Sequence, residues 1–335
     1  MKINKLPKEI FQASVNFGLL SENQSYSFKK ITDGVSSDIW HVKTSLKDFC
    51  IKRALAKLSV KEDWFAPIDR SNFEVKYFEQ CKKIIPNSFP KILGHDNKKY
   101  ILAMEWYDDV NYVLWKDNLL KKLISIKDSK RVGKLLGLVH KAFHKKKNFE
   151  KLFINDSTFY SIRIEPYLLF TSKSYPELSK QYKNTIEFLT KNKTTVIHGD
   201  FSPKNILIGK NYPIILDAET ACWGNPFFDL AFLNNHLILK SILNKDIIKA
   251  YIKTSKAFLE SYFAIFSSIN NKAFIKKFIT LQALLVLARV DGKSPVEYFN
   301  KKHKSIARNL AKSIIEKKIT TFNDFFINWE NVIKS

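Results

Sequence analysis

Several features that would assign this chain to a class at once are missing. It has three cysteines, Cys50, Cys81 and Cys222, an odd number set far apart with no CxxC pair. A disulfide framework is therefore unsupported, and a reduced, cytoplasmic setting is the expectation. Long apolar runs are missing too. The longest near-apolar helical stretch, FITLQALLVLA at 278–288, is too short for a membrane span and contains Thr280 and Gln282. The opening residues, MKINKLPKEIFQAS, lack the apolar stretch of a signal peptide. No internal repeat and no low-complexity linker is visible. Acidic residues are scarce: 32 Asp and Glu stand against 56 Lys and Arg, a formal net charge of +24.

Such a charge suits nucleic acid, a membrane surface or an anionic ligand. The lysines, however, are scattered in FKK, CKK, KKL, HKKKN, IKK and NKKHK along the whole chain. No zinc-finger spacing, RNP-like strand or concentrated basic tail accompanies them. The charge is read as a lysine-rich solvated surface with room for a phosphate-binding cleft, and no specific nucleic-acid partner is expected.

What is present is ample material for a core. Of 335 residues 45% are hydrophobic, with 27 Phe, 13 Tyr and 6 Trp, and the length favours two lobes over one core. Residues 25–55 hold three β-prone runs separated by turn signals at Asp33-Gly34 and Leu46-Lys47-Asp48. A helix is predicted at 69–83 from the spacing of Phe73, Tyr77, Phe78 and Cys81, and PKILGHD and KKYILAMEWY read as two further strands. Beyond Tyr107 the pattern turns helical, at 128–146, 176–191, 227–241, 245–265, 271–289 and 302–318, interrupted only at 196–219. The fold class expected is α+β, with a small β-rich part over 1–107 and a larger, mostly helical part over 108–335.

The interruption, VIHGDFSPKNILIGKNYPIILDAE, carries the chemistry. NILI and PIILD are short strands joined by the turn residues GKNY. An antiparallel hairpin sets the start of its first strand beside the end of its second. Asn205 and Asp217 thus emerge at one end, and Asp200 lies in the loop leading there. Two oxygen ligands beside a free carboxylate are what Mg²⁺-assisted phosphoryl transfer needs, and Asp-x-x-x-x-Asn is the catalytic-loop spacing of protein kinases.

HGDFSPKNIL followed by ILDAETACWGNPFFDLA resembles the aminoglycoside phosphotransferase / choline kinase superfamily of small-molecule kinases, and LARVDGKSPVEYF is similar to a C-terminal segment of one bacterial branch. The resemblance runs from about residue 28 to 299. It implies a bilobal protein-kinase-like fold, with a nucleotide-binding part before 108 and a catalytic and acceptor-binding part after it. It further implies ATP and Mg²⁺ as cofactors and a small hydroxyl compound as acceptor: an aminoglycoside, an amino alcohol or a sugar. Asp200 would be the catalytic base or orienting acid, and Asn205 and Asp217 would bind Mg²⁺. Glu219 would hold a second metal directly or through water, as in the D-x-E of methylthioribose kinases, from whose loop Asn205 departs. His198 would brace the loop, and Asp229 would tie it to the following helix. A catalytically silent nucleotide-binding protein and a basic nucleic-acid-binding protein are the competing classes.

On the nucleotide side, ITDGVSSDIWHV offers Gly34 at a turn and the hydroxyls of Ser36 and Ser37 over the phosphates, without a GxGxxG. Lys52 shares a strand face with Cys50 and needs an acid; Glu74 on the apolar side of the next helix is its expected partner. Lys57 and Glu79 are the substitutes in a shifted register. Met104, Glu105 and Tyr107 lie where the adenine edge would be read. On the acceptor side the candidates are Trp223 and the set Arg289, Asp291 and Lys293, with Arg163 and Glu165 in FYSIRIEPYLL behind them. The charge set at 289–293 reads equally as a structural ion-pair cluster.

Overall fold

The computed structural model describes residues 5–31, 36–57 and 64–335. In chain order its elements are α1 (Lys8–Asn16), β1 (Tyr26–Ile31), β2 (Ser37–Thr44), β3 (Asp48–Ala54), α2 (Arg70–Lys82), β4 (Ile92–Asp96), β5 (Ile101–Glu105) and β6 (Tyr112–Leu114). There follow α3 (Trp115–Leu120), α4 (Ile126–Phe143), α5 (Lys147–Leu152), α6 (Asp156–Phe159), a π-helical stretch (Tyr160–Leu169), α7 (Phe170–Ser172) and α8 (Ser179–Lys191). The chain continues through β7 (Thr195–Ile197), β8 (Ile206–Gly209), β9 (Pro213–Ile215), β10 (Cys222–Gly224), α9 (Phe227–Leu243), α10 (Ile248–Ile265), α11 (Lys272–Asp291), α12 (Lys301–Glu316) and α13 (Phe322–Lys334).

The N-terminal region is an antiparallel sheet in the order β1-β2-β3-β5-β4. Alternation along β3 decides what each face does. Phe49 and Ile51 join Trp40, Val42, Ile101 and Ala103 in a small core capped by Leu6, Ile10 and Ala13 beside and within α1. Cys50 and Lys52 face the other way, toward Val75, Tyr77, Phe78 and Cys81 of α2. One strand therefore supplies both an apolar anchor and a lysine on the inner face.

The C-terminal region is built around α9, which is buried on nearly its whole circumference, as expected of a helix apolar all round. Helix α4 starts with a Ser125 cap that accepts from the Asp128 N–H at 3.2 Å, and it packs closely on α10. That approach requires Gly133, because a Cβ there would lie 2.2 Å from the Phe258 carbonyl oxygen. Within this helical mass sit two small ribbons, β6-β8-β9 and β7-β10, both antiparallel.

The mixed α+β architecture and the six long helices agree with the sequence expectations. The expectation that 196–219 alone interrupts the helices does not hold, since β6 and β10 lie outside that stretch. Each is a three-residue strand, too short for alternation to show. Gly34 lies outside the described residues. All three cysteines are buried and free, and no helix among the described residues is long and apolar enough to cross a membrane.

Replacing Gly133 by Ala should force α4 and α10 apart and destabilise the protein by roughly 1–3 kcal/mol, the usual range for overpacking. A urea titration reads this directly; an unchanged midpoint would mean that the two helices separate at little cost.

Candidate active site

The hairpin forms in the expected register, with Ile206 opposite Ile215 and Leu207 opposite Ile214. The Leu216 N–H donates to the Asn205 carbonyl at 2.9 Å, which sets Asp217 beside Asn205 at the open end. The amide of Asn205 donates to the Asp200 carbonyl at 3.0 Å and to Asp200 Oδ2 at 2.9 Å. This orientation leaves the Asn205 side-chain oxygen free of its own loop. Asp217 sits at φ 60°, a left-handed conformation that a non-glycine residue holds only when its surroundings enforce it.

Those surroundings include the N-terminal sheet. Lys52 Nζ is 2.9 Å from Asp217 Oδ1 and 2.6 Å from Glu74 Oε2, and both Lys52 and Glu74 are almost fully buried. Lys52 and Glu74 thus form the pair, in the register expected. Burial disfavours the ammonium, but Asp217 and Glu74 more than reverse this and hold Lys52 charged. Asp217 is held well below the ordinary carboxylate range, because Lys52 and Lys204 outweigh its burial. Burial pushes Glu74 up to about 7 against the pull of Lys52, with Asp217 adding to the rise.

Asp200 has two cations of its own. Arg163 Nη2 lies 2.8 Å from Oδ1 and Lys204 Nζ 3.0 Å from Oδ2. Burial raises the carboxyl, yet the two cations leave it below its usual value. Asp200 is therefore an ionised acceptor of hydrogen bonds and a weak base. Arg163 also donates from Nε to the Gly199 carbonyl at 2.6 Å, so it grips both the loop and its acid.

The loop itself hangs on Asp229, which is fully buried at the start of α9. Its Oδ2 accepts from the His198 N–H at 2.7 Å and its Oδ1 from the Gly199 N–H at 2.9 Å. His140 Nε2 is 3.2 Å from the same carboxylate, and the Tyr262 hydroxyl lies 2.9 Å from His140 Nδ1. Gly199 has φ 73°, and a Cβ there would meet the Thr220 carbonyl oxygen at 2.6 Å, so the position needs glycine on both counts. His198 Nδ1 accepts the Asp200 N–H at 3.1 Å, which makes Nε2 the donor to the Leu216 carbonyl at 3.0 Å. Burial lowers its pKa, so the ring is a neutral brace between loop and hairpin.

Glu219 is nearly buried, with Oε2 3.1 Å from Arg70 Nε. Arg70 also donates to the carbonyls of Ser36 at 2.5 Å, Leu55 at 2.7 Å and Pro67 at 2.8 Å. This residue ties the edge of the N-terminal sheet to the acid, and the sequence reading missed it. A signal existed: an arginine at a helix N-terminus opposes the helix dipole and needs tertiary partners. Lys204 was missed as well, although it lies inside the loop motif, and Arg163 was ranked behind residues that lie farther from Asp200.

Other candidates fall around this centre. The Ser37 hydroxyl is buried with no partner among the described residues, and Ser36 contributes its carbonyl to Arg70. Met104 is buried opposite Cys50, while Glu105 donates its N–H to the Lys91 carbonyl at 2.9 Å and accepts from the Tyr107 hydroxyl at 3.0 Å. Arg289 reaches the Tyr167 hydroxyl at 3.3 Å. Asp291 instead takes a two-pronged pair with Arg308 at 2.6 and 2.9 Å, and Lys293 pairs with Glu165 at 2.9 Å. Trp223 lines a separate cavity of about 440 Å³ with Tyr160 and Lys193, and none of Asp200, Asn205, Asp217 or Glu219 borders it.

The oxygens fit Mg²⁺. Among the described residues no three His, Cys, Asp or Glu side chains form a metal cluster. The free Asn205 oxygen and the second oxygen of Asp217 suit an ion that keeps waters and phosphate oxygens in its shell. Glu219 adds the oxygen that Arg70 does not take.

Comparison with known proteins gives a consistent picture. The profile of the family described as "Phosphotransferase enzyme family" matches residues 27–257. A methylthioribose kinase of Bacillus cereus is 23% identical, over 79% of this chain and 75% of that protein. Among solved structures, a choline kinase from Cryptosporidium parvum aligns with a TM-score of 0.57 at 15% identity, covering 94% of this chain and 99% of that one. An ethanolamine kinase of Plasmodium vivax aligns at 0.54 and 14%, covering 99% and 90%.

Replacing Arg163 by Met should cost about 3–5 kcal/mol, since it strands part of a buried carboxylate. Carboxyls held below the ordinary range stabilise the fold at neutral pH, and that contribution is lost as pH falls below about 4 toward their depressed values. Without Arg163 the Asp200 share is lost at a higher pH. Acid unfolding followed by circular dichroism should therefore begin earlier in the variant; coincident acid transitions would contradict the assigned role.

Proposed function

The chain belongs to the phosphotransferase enzyme family, and we propose that it is an ATP- and Mg²⁺-dependent kinase that moves the γ-phosphoryl group to a hydroxyl of a small molecule. The observation that carries this reading is the pairing of Lys52 with both Glu74 and Asp217 beside an Asn205 whose amide is fixed on Asp200. Phosphoryl transfer leaves little covalent work for the protein, so positioning and charge neutralisation decide the rate.

Lys52 would meet the α- and β-phosphates, kept charged and extended by its two acids. Asn205 and Asp217 would hold Mg²⁺, with Glu219 supporting a second ion directly or through water. The bound metal supplies charge neutralisation on the transferring group. The Ser37 hydroxyl, without a partner among the described residues, would donate to a phosphate oxygen, and Gly34 and Ser36 would complete the cover above it. Met104 would wall the adenine pocket, with the Glu105 carbonyl and the backbone through Tyr107 reading the base edge.

Asp200 would accept the hydrogen bond of the acceptor hydroxyl and aim its oxygen along the line of transfer. Its depressed pKa argues for orientation first and proton acceptance late, once the hydroxyl has become acidic by bonding to phosphorus. This accords with a loose transition state, in which the nucleophile needs little activation. The acceptor is an alcohol in the broad sense, as methylthioribose, choline and ethanolamine are for the proteins named above.

Release of ADP from Mg-ATP should rise with the correct acceptor. Asp200→Ala should reduce that stimulated rate by about 10²–10⁴-fold and leave nucleotide affinity nearly intact, whereas Lys52→Met should weaken ATP binding itself. Equal stimulated rates in wild type and Asp200→Ala would sink the proposal.

A further inference from the structure

Beyond Arg163 lie further basic groups, and two of them, Lys240 and Arg289, pair with no acid among the described residues. Helix α9 presents Phe232, His236 and Lys240 one turn apart on one face. Against Phe232 lies the guanidinium of Arg163, 5.2 Å from the ring, and Tyr167 one step along the π-helical stretch lies 5.6 Å from the same ring. Arg289 sits 5.9 Å from the Tyr167 ring, and Lys240 Nζ 5.9 Å from the ring of Tyr298.

Three of these groups have unspent donors. Lys240 is 2% exposed and forms no ion pair or hydrogen bond with any described residue. Among the described residues Arg289 Nη1 is taken by neutral oxygens only, those of Tyr167 and Ser294, and its Nε is buried without a partner. The Tyr298 hydroxyl is likewise buried without a partner among the described residues. A buried cation without an acid is costly, and folds normally supply the counter-charge.

The local field agrees with this count. Burial, then Arg289 and Lys116, push Lys240 down to about 7, with only Asp117 pulling the other way. Burial, then Lys240, Arg289, Lys204 and Arg163, push His236 far down, so it is neutral. Tyr167 is lowered in spite of its burial, because Arg289 and Arg163 favour its anion. Among the described residues the carboxylate in direct contact with this group of cations is that of Asp200, already shared by Arg163 and Lys204.

We propose that Lys240, Arg289 and Tyr298 bind an anionic group carried by the acceptor itself, so that the substrate is a hydroxyl compound bearing a phosphate or a carboxylate. The anion supplies the missing counter-charge and anchors the acceptor with a hydroxyl toward Asp200. A cationic acceptor would be repelled by Arg289 and by the protonated form of Lys240. This proposal rests on the kinase reading above, and deepens it by naming the charge class of the substrate.

The test is calorimetric titration of wild type and Lys240→Met, each first saturated with Mg²⁺ and a non-hydrolysable ATP analogue. The probes are two matched pairs, ribose 5-phosphate against ribose and gluconate against glucose, with choline as the cation. At least one anionic member should bind about tenfold or more tightly than its neutral partner, as a charge-assisted contact implies. Which pair responds separates phosphate from carboxylate. Lys240→Met should remove that preference, Lys240→Arg should retain most of it, and the affinity for the nucleotide analogue should be the same in all three proteins. The proposal is overturned if neither anion outbinds its partner, if choline binds best, or if the preference survives in Lys240→Met. Failure of the nucleotide analogue to bind, with the anion preference intact, would instead strike the kinase reading and leave the anion site standing.

Discussion

Everything in the site depends on one buried ammonium. Lys52 leaves the inner face of the N-terminal sheet and meets Glu74 from α2 and Asp217 from the β8-β9 hairpin. A lysine so deeply buried keeps its charge only if acids surround it, and an aspartate at positive φ keeps its strain only if something holds it. Each condition satisfies the other. The contact also joins the sheet to the helical region across 165 residues of chain, so the two regions are tied by a single charge cluster. Arg70 repeats the device a short way off, with Glu219 at one end and the Ser36 and Leu55 carbonyls at the other.

The catalytic loop is held by different means. Its two backbone donors are spent on Asp229, its glycine turns where no side chain fits, and its histidine is a neutral spacer. What remains for chemistry is the Asp200 carboxylate, and the charges on it come from Lys204 within the loop motif and from Arg163 outside it. Arg163 arrives from a π-helical stretch, whose widened turns suit a local role that a regular helix would not fill. An acid kept ionised in this way accepts hydrogen bonds readily and is a weak base. The same arginine opens a run of cations that continues to Arg289 and Lys240.

The sequence made the centre legible and the periphery much less so. The hairpin, its register, and the relation of Asp200, Asn205 and Asp217 followed from turn residues and strand pairing, because local rules govern a tight hairpin. Lys52 and Glu74 followed from face alternation in β3 and helical spacing in α2. The long helices were found within a few residues of their ends. Helices α1 and α13 went unnoticed, as did the short strands, whose existence depends on neighbours distant in sequence. Arg163 drew little weight and Lys240 none, for the same reason. A lysine in a helix reads as surface until burial and the absence of an acid around it are known. Asp291 and Lys293, close to Arg289 in sequence, pair with Arg308 and Glu165, the ion-pair alternative that the sequence left open.

The most direct test of the account is whether nucleotide and metal share the Asp217 node. Mn²⁺ in place of Mg²⁺ can be followed by electron paramagnetic resonance while ATP is added to wild type, Asp217→Asn and Asp200→Asn. The account predicts a nucleotide-dependent Mn²⁺ site in wild type and in Asp200→Asn, and its loss in Asp217→Asn. A nucleotide-dependent site that survives in Asp217→Asn would contradict it.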